Sequence, residues 1–354
     1  TIQGENGPEL RDIRWAKLAE GVARDTLEKV RELGIKGVYG NPEYRRIYPN
    51  TSLAAHVIGY VNLEGTAVSG VEATMDFYLK GQDGWRDGER DGQRRQLSQF
   101  NHREVAPRPG LNVELSLDMV IQHYVEEEIQ SLVEKYKPTG ATIIVSEPTT
   151  GYILALANYP TYNPNVFWKS PLDAHRNRAV TDIYEPGSTF KIVSAAGAME
   201  EGLAYPDEEF DCGLPTALYN GREIKLPSDH IEYGILTLEK IVVKSSNRGA
   251  ALLGLRLGDE RLYDYSRAFG YGERTGLGLP GEVNGILHEP KDWDGLTISR
   301  LPMGHAISAT PMQVHMAMST VANRGVLMQP QVVRRLFDEK GDSAVSFDPV
   351  ARRR

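Results

Sequence analysis

The run Glu185-Pro186-Gly187-Ser188-Thr189-Phe190-Lys191 decides how this chain is read. Pro186-Gly187 supplies a turn. The apolar, small-residue stretch from Phe190 to Met199 has the composition of a core helix ending near Gly202. Serine and lysine at this spacing lie one turn apart on one helix face. A serine hydroxyl is a poor nucleophile at neutral pH and needs a base within hydrogen-bond reach. A lysine serves if burial takes its pKa well below the reference value of about 10.4. Ser188 is the only serine with lysine three positions on, and Ser245 the only one with asparagine two positions on. Two readings follow. In one, Ser188 is an acylated nucleophile and Lys191 its base, Ser245 relays a proton to the leaving amine, and Asn247 offers its amide to a substrate backbone. In the other, Ser188 caps a core helix and Lys191 is exposed.

The surrounding sequence favours the first. Ser188-x-x-Lys191 with Ser245-x-Asn247 resembles the signature of penicillin-binding proteins and serine β-lactamases. The resemblance to class B penicillin-binding proteins extends over almost the whole chain from about residue 12. Gly140 to Ala157 resembles the first hairpin of that family's catalytic sheet. Tyr162-Asn163-Pro164-Asn165 and Asn177-Arg178-Ala179-Val180 match the lead into the nucleophile helix. Phe269-Gly270-Tyr271-Gly272, Leu279-Pro280-Gly281-Glu282 and Thr310-Pro311-Met312-Gln313 match stretches beyond the second motif. Tyr44 to Pro49 and Ser69-Gly70-Val71-Glu72 resemble the non-catalytic pedestal.

The resemblance implies an α+β fold: a β-lactamase/transpeptidase-like domain, an antiparallel sheet flanked by helices, preceded by a smaller pedestal. The expected division is 1–110 for the pedestal and 111–354 for the transpeptidase domain, with Pro107-Arg108-Pro109-Gly110 as linker. It implies a peptidoglycan D,D-transpeptidase that is a β-lactam target. Ser188, Lys191 and Ser245 are then the catalytic residues, and Asn247 and Glu185 the substrate-binding candidates. Gly81-Gln82-Asp83-Gly84-Trp85-Arg86 and Trp293 lean towards the septal, cell-division branch. Expected partners are stem peptides, β-lactams and, through the pedestal, other cell-wall proteins. The expected place is the extracytoplasmic face of the bacterial membrane, with a membrane anchor ahead of this chain. The family carries a Lys-Thr-Gly triad on a later strand. No Lys-Thr-Gly or Lys-Ser-Gly occurs here, so the domain is expected to be truncated before that strand. Arg274-Thr275-Gly276 mimics the triad but stands in the wrong place.

Two other functions remain open at this point. Ser188-Thr189-Phe190-Lys191 is also the nucleophile motif of class D β-lactamases, although these carry an aliphatic residue where Asn247 stands and have no pedestal. A β-lactam sensor or a silent assembly scaffold would also retain a pedestal.

Composition narrows the remainder. The 354 residues carry 48 acidic against 40 basic side chains, a formal charge of −8, which gives no footing for nucleic acid. Arg94-Arg95 and Arg352-Arg353-Arg354 are too short for a basic patch and read as solvated faces. A single cysteine, Cys212, excludes an internal disulfide framework. The histidines lack ligand spacing, so neither metal nor cofactor is expected. No apolar run reaches the roughly 18 residues of a membrane helix, and no signal peptide is visible.

Periodicity predicts an amphipathic helix over 15–33, with Trp15, Leu18, Val22, Leu27, Val30 and Leu33 on one face. Residues 59–100 are rich in Gly, Asp and Arg, and the stretch Lys80 to Gly92 within them suggests tight turns between exposed strands. A strand over 113–117 precedes a helix capped by Asp118. Runs 141–146 and 152–157 form a hairpin. Helices over 236–243 and 247–257 place Ser245 at a helix–helix turn.

Overall fold

The computed structural model describes residues 2–4, 7–9, 16–40, 43–87 and 103–354. The chain divides into two compact units, Thr1–Ile47 and Tyr48–Arg354.

In the first unit, strands Ile2–Gly4 and Gly7–Glu9 pair antiparallel. One helix, α1, follows at Arg24–Glu32. It is shorter than its periodicity predicts. Gly21 has φ +65°, outside the helical basin, and Ala23 is extended. The apolar stripe therefore breaks before Arg24, and Leu18 and Val22 stay exposed. Trp15 lies outside the described residues.

The second unit begins well before the expected linker. Tyr48, Ala55 and Tyr60 share a buried cluster with Tyr162 and Ala174. Val57 and Val71 join Ile153, Leu156 and Met312. Asn165 fixes this packing by accepting from the Tyr48 amide at 2.9 Å and donating to its carbonyl at 2.8 Å. Residues 48–75 thus pack with the later sequence, in keeping with the compact boundary at Ile47/Tyr48. Strands Trp85–Asp87 and Arg103–Val105 pair, as the turn-rich sequence suggests, and the run between them, with Arg94-Arg95, lies outside the described residues. Arg108 exchanges backbone bonds with Gln82 at 2.8 and 2.9 Å, so Pro107–Gly110 is tied down rather than free.

Next come β1 (Asn112–Leu115) and α2 (Met119–Tyr136). Asp118 caps α2, accepting from the amides of Val120 and Ile121 at 2.9 and 3.0 Å. This satisfies two otherwise orphaned donors. The hairpin of β2 (Ala141–Ser146) and β3 (Ile153–Tyr159) pairs Ile143 with Ala157 and Val145 with Ala155. Val125 and Ile129 of α2 lie against Ala155 and Ala157. Gln122 of the same helix is buried, and its amide brackets the Leu156 backbone at 2.8 and 3.0 Å.

A helical group follows: α3 (Lys191–Glu200), the hairpin β4 (Thr216–Tyr219) and β5 (Arg222–Lys225), α4 (Leu238–Lys244), α5 (Asn247–Leu257) and α6 (Asp259–Ala268). Helix α7 (Pro311–Ala322) opens on a capping box between Thr310 and Gln313. The chain returns through β6 (Leu327–Met328), β7 (Val333–Phe337), β8 (Ser343–Ser346) and β9 (Ala351–Arg353). Strand β7 lies between β1 and β8, and β6 pairs with β9, all antiparallel. Ser116 Oγ ties this group to the β2–β3 hairpin through the Ile153 carbonyl at 2.6 Å. Helices packed on antiparallel strands give the α+β class the sequence implies.

The C-terminal arginines differ from the solvated reading. Glu273 meets Arg352 and Arg353 at 2.8 Å and Arg267 at 2.9 Å. Arg352 also donates to the Thr275 carbonyl at 2.9 Å. This network fastens β9 to the loop after α6.

Candidate active site

Ser188 sits on a short 3₁₀ turn, Gly187–Phe190, immediately before α3. The sequence places it on the helix itself; the structure tightens that turn and leaves Ser188 exposed. Phe190 anchors the turn. Its ring is fully buried among Val193, Leu257, Leu262 and Tyr271. Burying such a side chain contributes about 1.5–3 kcal/mol.

Lys191, the first residue of α3, is only 3% exposed. Burial lowers its pKa from the usual lysine value, and the Asp229 carboxylate partly opposes that by raising it. The reading of Lys191 as a surface residue is therefore excluded. Its Nζ donates to Ser245 Oγ at 2.9 Å, to Asn247 Oδ1 at 2.9 Å and to the Ser245 carbonyl. Three donors are used, as an ammonium group has. A neutral amine has two donors and a lone pair, so taking up a proton requires one of these bonds to be released.

Ser245 closes α4 in the left-handed region, with φ +56° and ψ +42°. A non-glycine residue there costs of order 1–3 kcal/mol and persists only if its surroundings impose it. Ser246 caps α5 through the Gly249 amide at 3.0 Å. The two caps turn Ser245 and Asn247 to the same side, towards Lys191.

A second loop braces the nucleophile turn. Gly304 has φ +80°, and a Cβ there would lie 2.0 Å from the Gly187 carbonyl oxygen. Gly187 donates to the Gly304 carbonyl at 3.1 Å. Glu185 accepts from the Ala306 amide at 3.2 Å and pairs with His305 Nδ1 at 2.9 Å. Both Glu185 oxygens are thus engaged by this loop, which makes the residue a brace beside Ser188.

Arg274-Thr275-Gly276 is no substitute for a substrate-facing triad. Thr275 is buried, and its amide and hydroxyl both donate to Glu282 Oε1. Among the described residues no group of His, Cys, Asp or Glu could hold a metal ion. No helix among them is long and apolar enough to cross a membrane. Sequence reasoning missed Asp229, which accepts from Ser246 Oγ at 2.8 Å and from the Asn247 amide. Nothing local marks it out, because its partners are 17 and 18 residues away.

Comparison with known proteins gives the family. Residues 141–352 match the penicillin binding protein transpeptidase domain, and residues 12–115 the penicillin-binding protein dimerisation domain. The chain belongs to the class B penicillin-binding proteins. It is 32% identical over 313 residues to peptidoglycan D,D-transpeptidase FtsI of Escherichia coli, covering 88% of this chain and 52% of that protein. It is 34% identical over 302 residues to the probable peptidoglycan D,D-transpeptidase PenA of Neisseria meningitidis, covering 85% and 51%. Penicillin binding protein 3 of Mycobacterium tuberculosis, solved in complex with ampicillin, superposes with a TM-score of 0.74 at 33% identity. That match covers 87% of this chain and 64% of the solved one. The chain spans about half the length of the curated relatives it matches.

Proposed function

We propose that this penicillin-binding protein is a serine-type peptidoglycan D,D-transpeptidase of cell division, acting outside the cytoplasm and open to acylation by β-lactams. One observation carries the reading: buried Lys191, three residues after exposed Ser188, is held by Ser245 and Asn247. Support comes from the names of the relatives and from the ampicillin complex of the Mycobacterium tuberculosis protein.

In this reading Ser188 Oγ attacks the carbonyl between two D-alanines of a stem peptide. The Oγ–C bond forms as the peptide C–N bond breaks. The Ser188 proton passes to Lys191 and, through Ser245, to the departing D-alanine amine. Asn247 Nδ2 donates to the Ser228 carbonyl at 3.0 Å and its Oδ1 accepts from Lys191. It therefore enters the site with its rotamer fixed, able to meet the substrate backbone. An amine from a second stem peptide then takes the acyl group and frees Ser188. The pedestal is the surface through which other cell-wall proteins would bind.

The test is covalent labelling with a fluorescent penicillin. The unaltered protein should be labelled and Ser188→Ala should not, with an unchanged thermal melt. Equal labelling of both would place the acyl group on another residue.

A further inference from the structure

The loop carrying Asp229 lies between β5 and the strand Ile235–Thr237, outside every motif of the site. Three facts set it apart. Its carboxylate accepts from the Asn247 amide and from Ser246 Oγ, so one side chain holds two consecutive residues of the Ser245–Asn247 turn. Ser246 is fully buried, and its hydroxyl passes the contact on to the Gly249 amide. The neighbouring Ser228 carbonyl receives Asn247 Nδ2 at 3.0 Å, so the same loop fixes both the backbone and the amide of Asn247.

The charge matters as well as the shape. The Asn247 that binds the Asp229 carboxylate through its amide also receives Lys191 Nζ, so this charge stands one residue from the lysine and favours its ammonium form. Other ionisable groups nearby are turned elsewhere. Arg248 of α5 donates to the Pro227 and Gly213 carbonyls. Glu185 pairs with His305, and Glu201 at the end of α3 meets Arg261 of α6.

We propose that Asp229 is a positioning residue: it clamps the Ser245–Asn247 turn onto Lys191 and holds a negative charge one hydrogen-bonded residue, Asn247, away from the lysine. This rests on the acyl-serine reading above. Without the clamp, Ser245 has less to hold it in its left-handed conformation, and the groups that receive Lys191 Nζ drift. Without the charge, the ammonium form of Lys191 loses a stabilising neighbour, and the neutral amine predominates from a lower pH.

Two substitutions separate these effects. Asp229→Asn keeps the side-chain shape and an oxygen for the Asn247 amide, removes the charge, and requires Ser246 Oγ to accept from the new NH₂ where it now donates. Asp229→Ala removes both shape and charge. The measurement is the second-order rate of acylation by a fluorescent penicillin from pH 5 to 9, with a thermal melt for each protein. Asp229→Asn should move the acid limb of the profile to lower pH. Asp229→Ala should slow acylation at every pH by about 10- to 100-fold, the loss that misplacing a catalytic group by an ångström can bring. Wild-type rates in Asp229→Ala, or an unmoved acid limb in Asp229→Asn, would overturn the proposal. If Asp229→Ala fails to fold, the Asp229→Asn profile alone decides. Failure of the unaltered protein to be labelled at any pH would instead sink the acyl-serine reading itself.

Discussion

Lys191 carries the largest chemical demand of any single residue here. It is buried, its pKa is pushed down, and all three of its donors are taken by the Ser245–Asn247 turn. A lysine with no chemical role would gain nothing from this, since burying a charge is costly even when it is hydrogen-bonded. Lys191→Ala should therefore slow penicillin acylation by about 10²–10⁴, the usual range for a positioned general base. Comparison with Ser188→Ala under the same conditions guards against background labelling. A wild-type rate would mean that Ser188 gives up its proton elsewhere. The sign of the pH dependence follows from the same lysine. Its ammonium form cannot take a proton, so the acylation rate should rise as pH increases through its depressed pKa and then level off.

At the scale of the element, helix α3 has to present Lys191 at one end and pack closely along its length. Small side chains make that possible. A Cβ on Gly197 would lie 2.9 Å from Leu257 Cδ2 and from the Tyr265 ring, so α5 and α6 come right up to the α3 backbone. Gly197→Val should push these helices apart and cost about 1–3 kcal/mol, as overpacking of a filled core does. Urea denaturation measures it, and acylation should fall in parallel because the same helix carries Lys191. Unchanged stability would mean that the helix seam is looser than these distances require. The short run of alanines and glycine was readable as a core helix from sequence alone. So was the turn at Ser245, because capping and helix periodicity are local. The true start of α1 was not, because one glycine in a left-handed conformation outweighed an apolar stripe with little to bury it. Asp229 and the Glu273 cluster were equally hidden. Arg352 reaches Glu273 across 79 residues, and no local pattern records such a meeting.

Across the whole molecule, the packing of residues 48–60 against 162–175 joins two distant parts of the chain. His56 lies at its centre. It is 5% exposed, donates from Nε2 to the Ala174 carbonyl at 2.9 Å, and stands edge-on to the Tyr162 ring. Burial lowers its pKa from the usual imidazole value to about 4. His175 nearby is also lowered by burial. In the unfolded chain these imidazoles charge at their ordinary pKa, whereas in the folded one they stay neutral to a lower pH. The unfolded state therefore binds more protons between about pH 6.5 and 4, and stability falls as pH drops through that window. For His56 alone the loss at the lower end is about 3 kcal/mol, at about 1.4 kcal/mol for each pH unit. The melting temperature should fall between pH 6.5 and 4 in the unaltered protein. In His56→Phe the aromatic packing is kept and the titration is gone, so the fall should be shallower even if the starting stability is lower. Parallel curves for the two proteins would show that His56 charges in place without unfolding, and that this packing tolerates a cation.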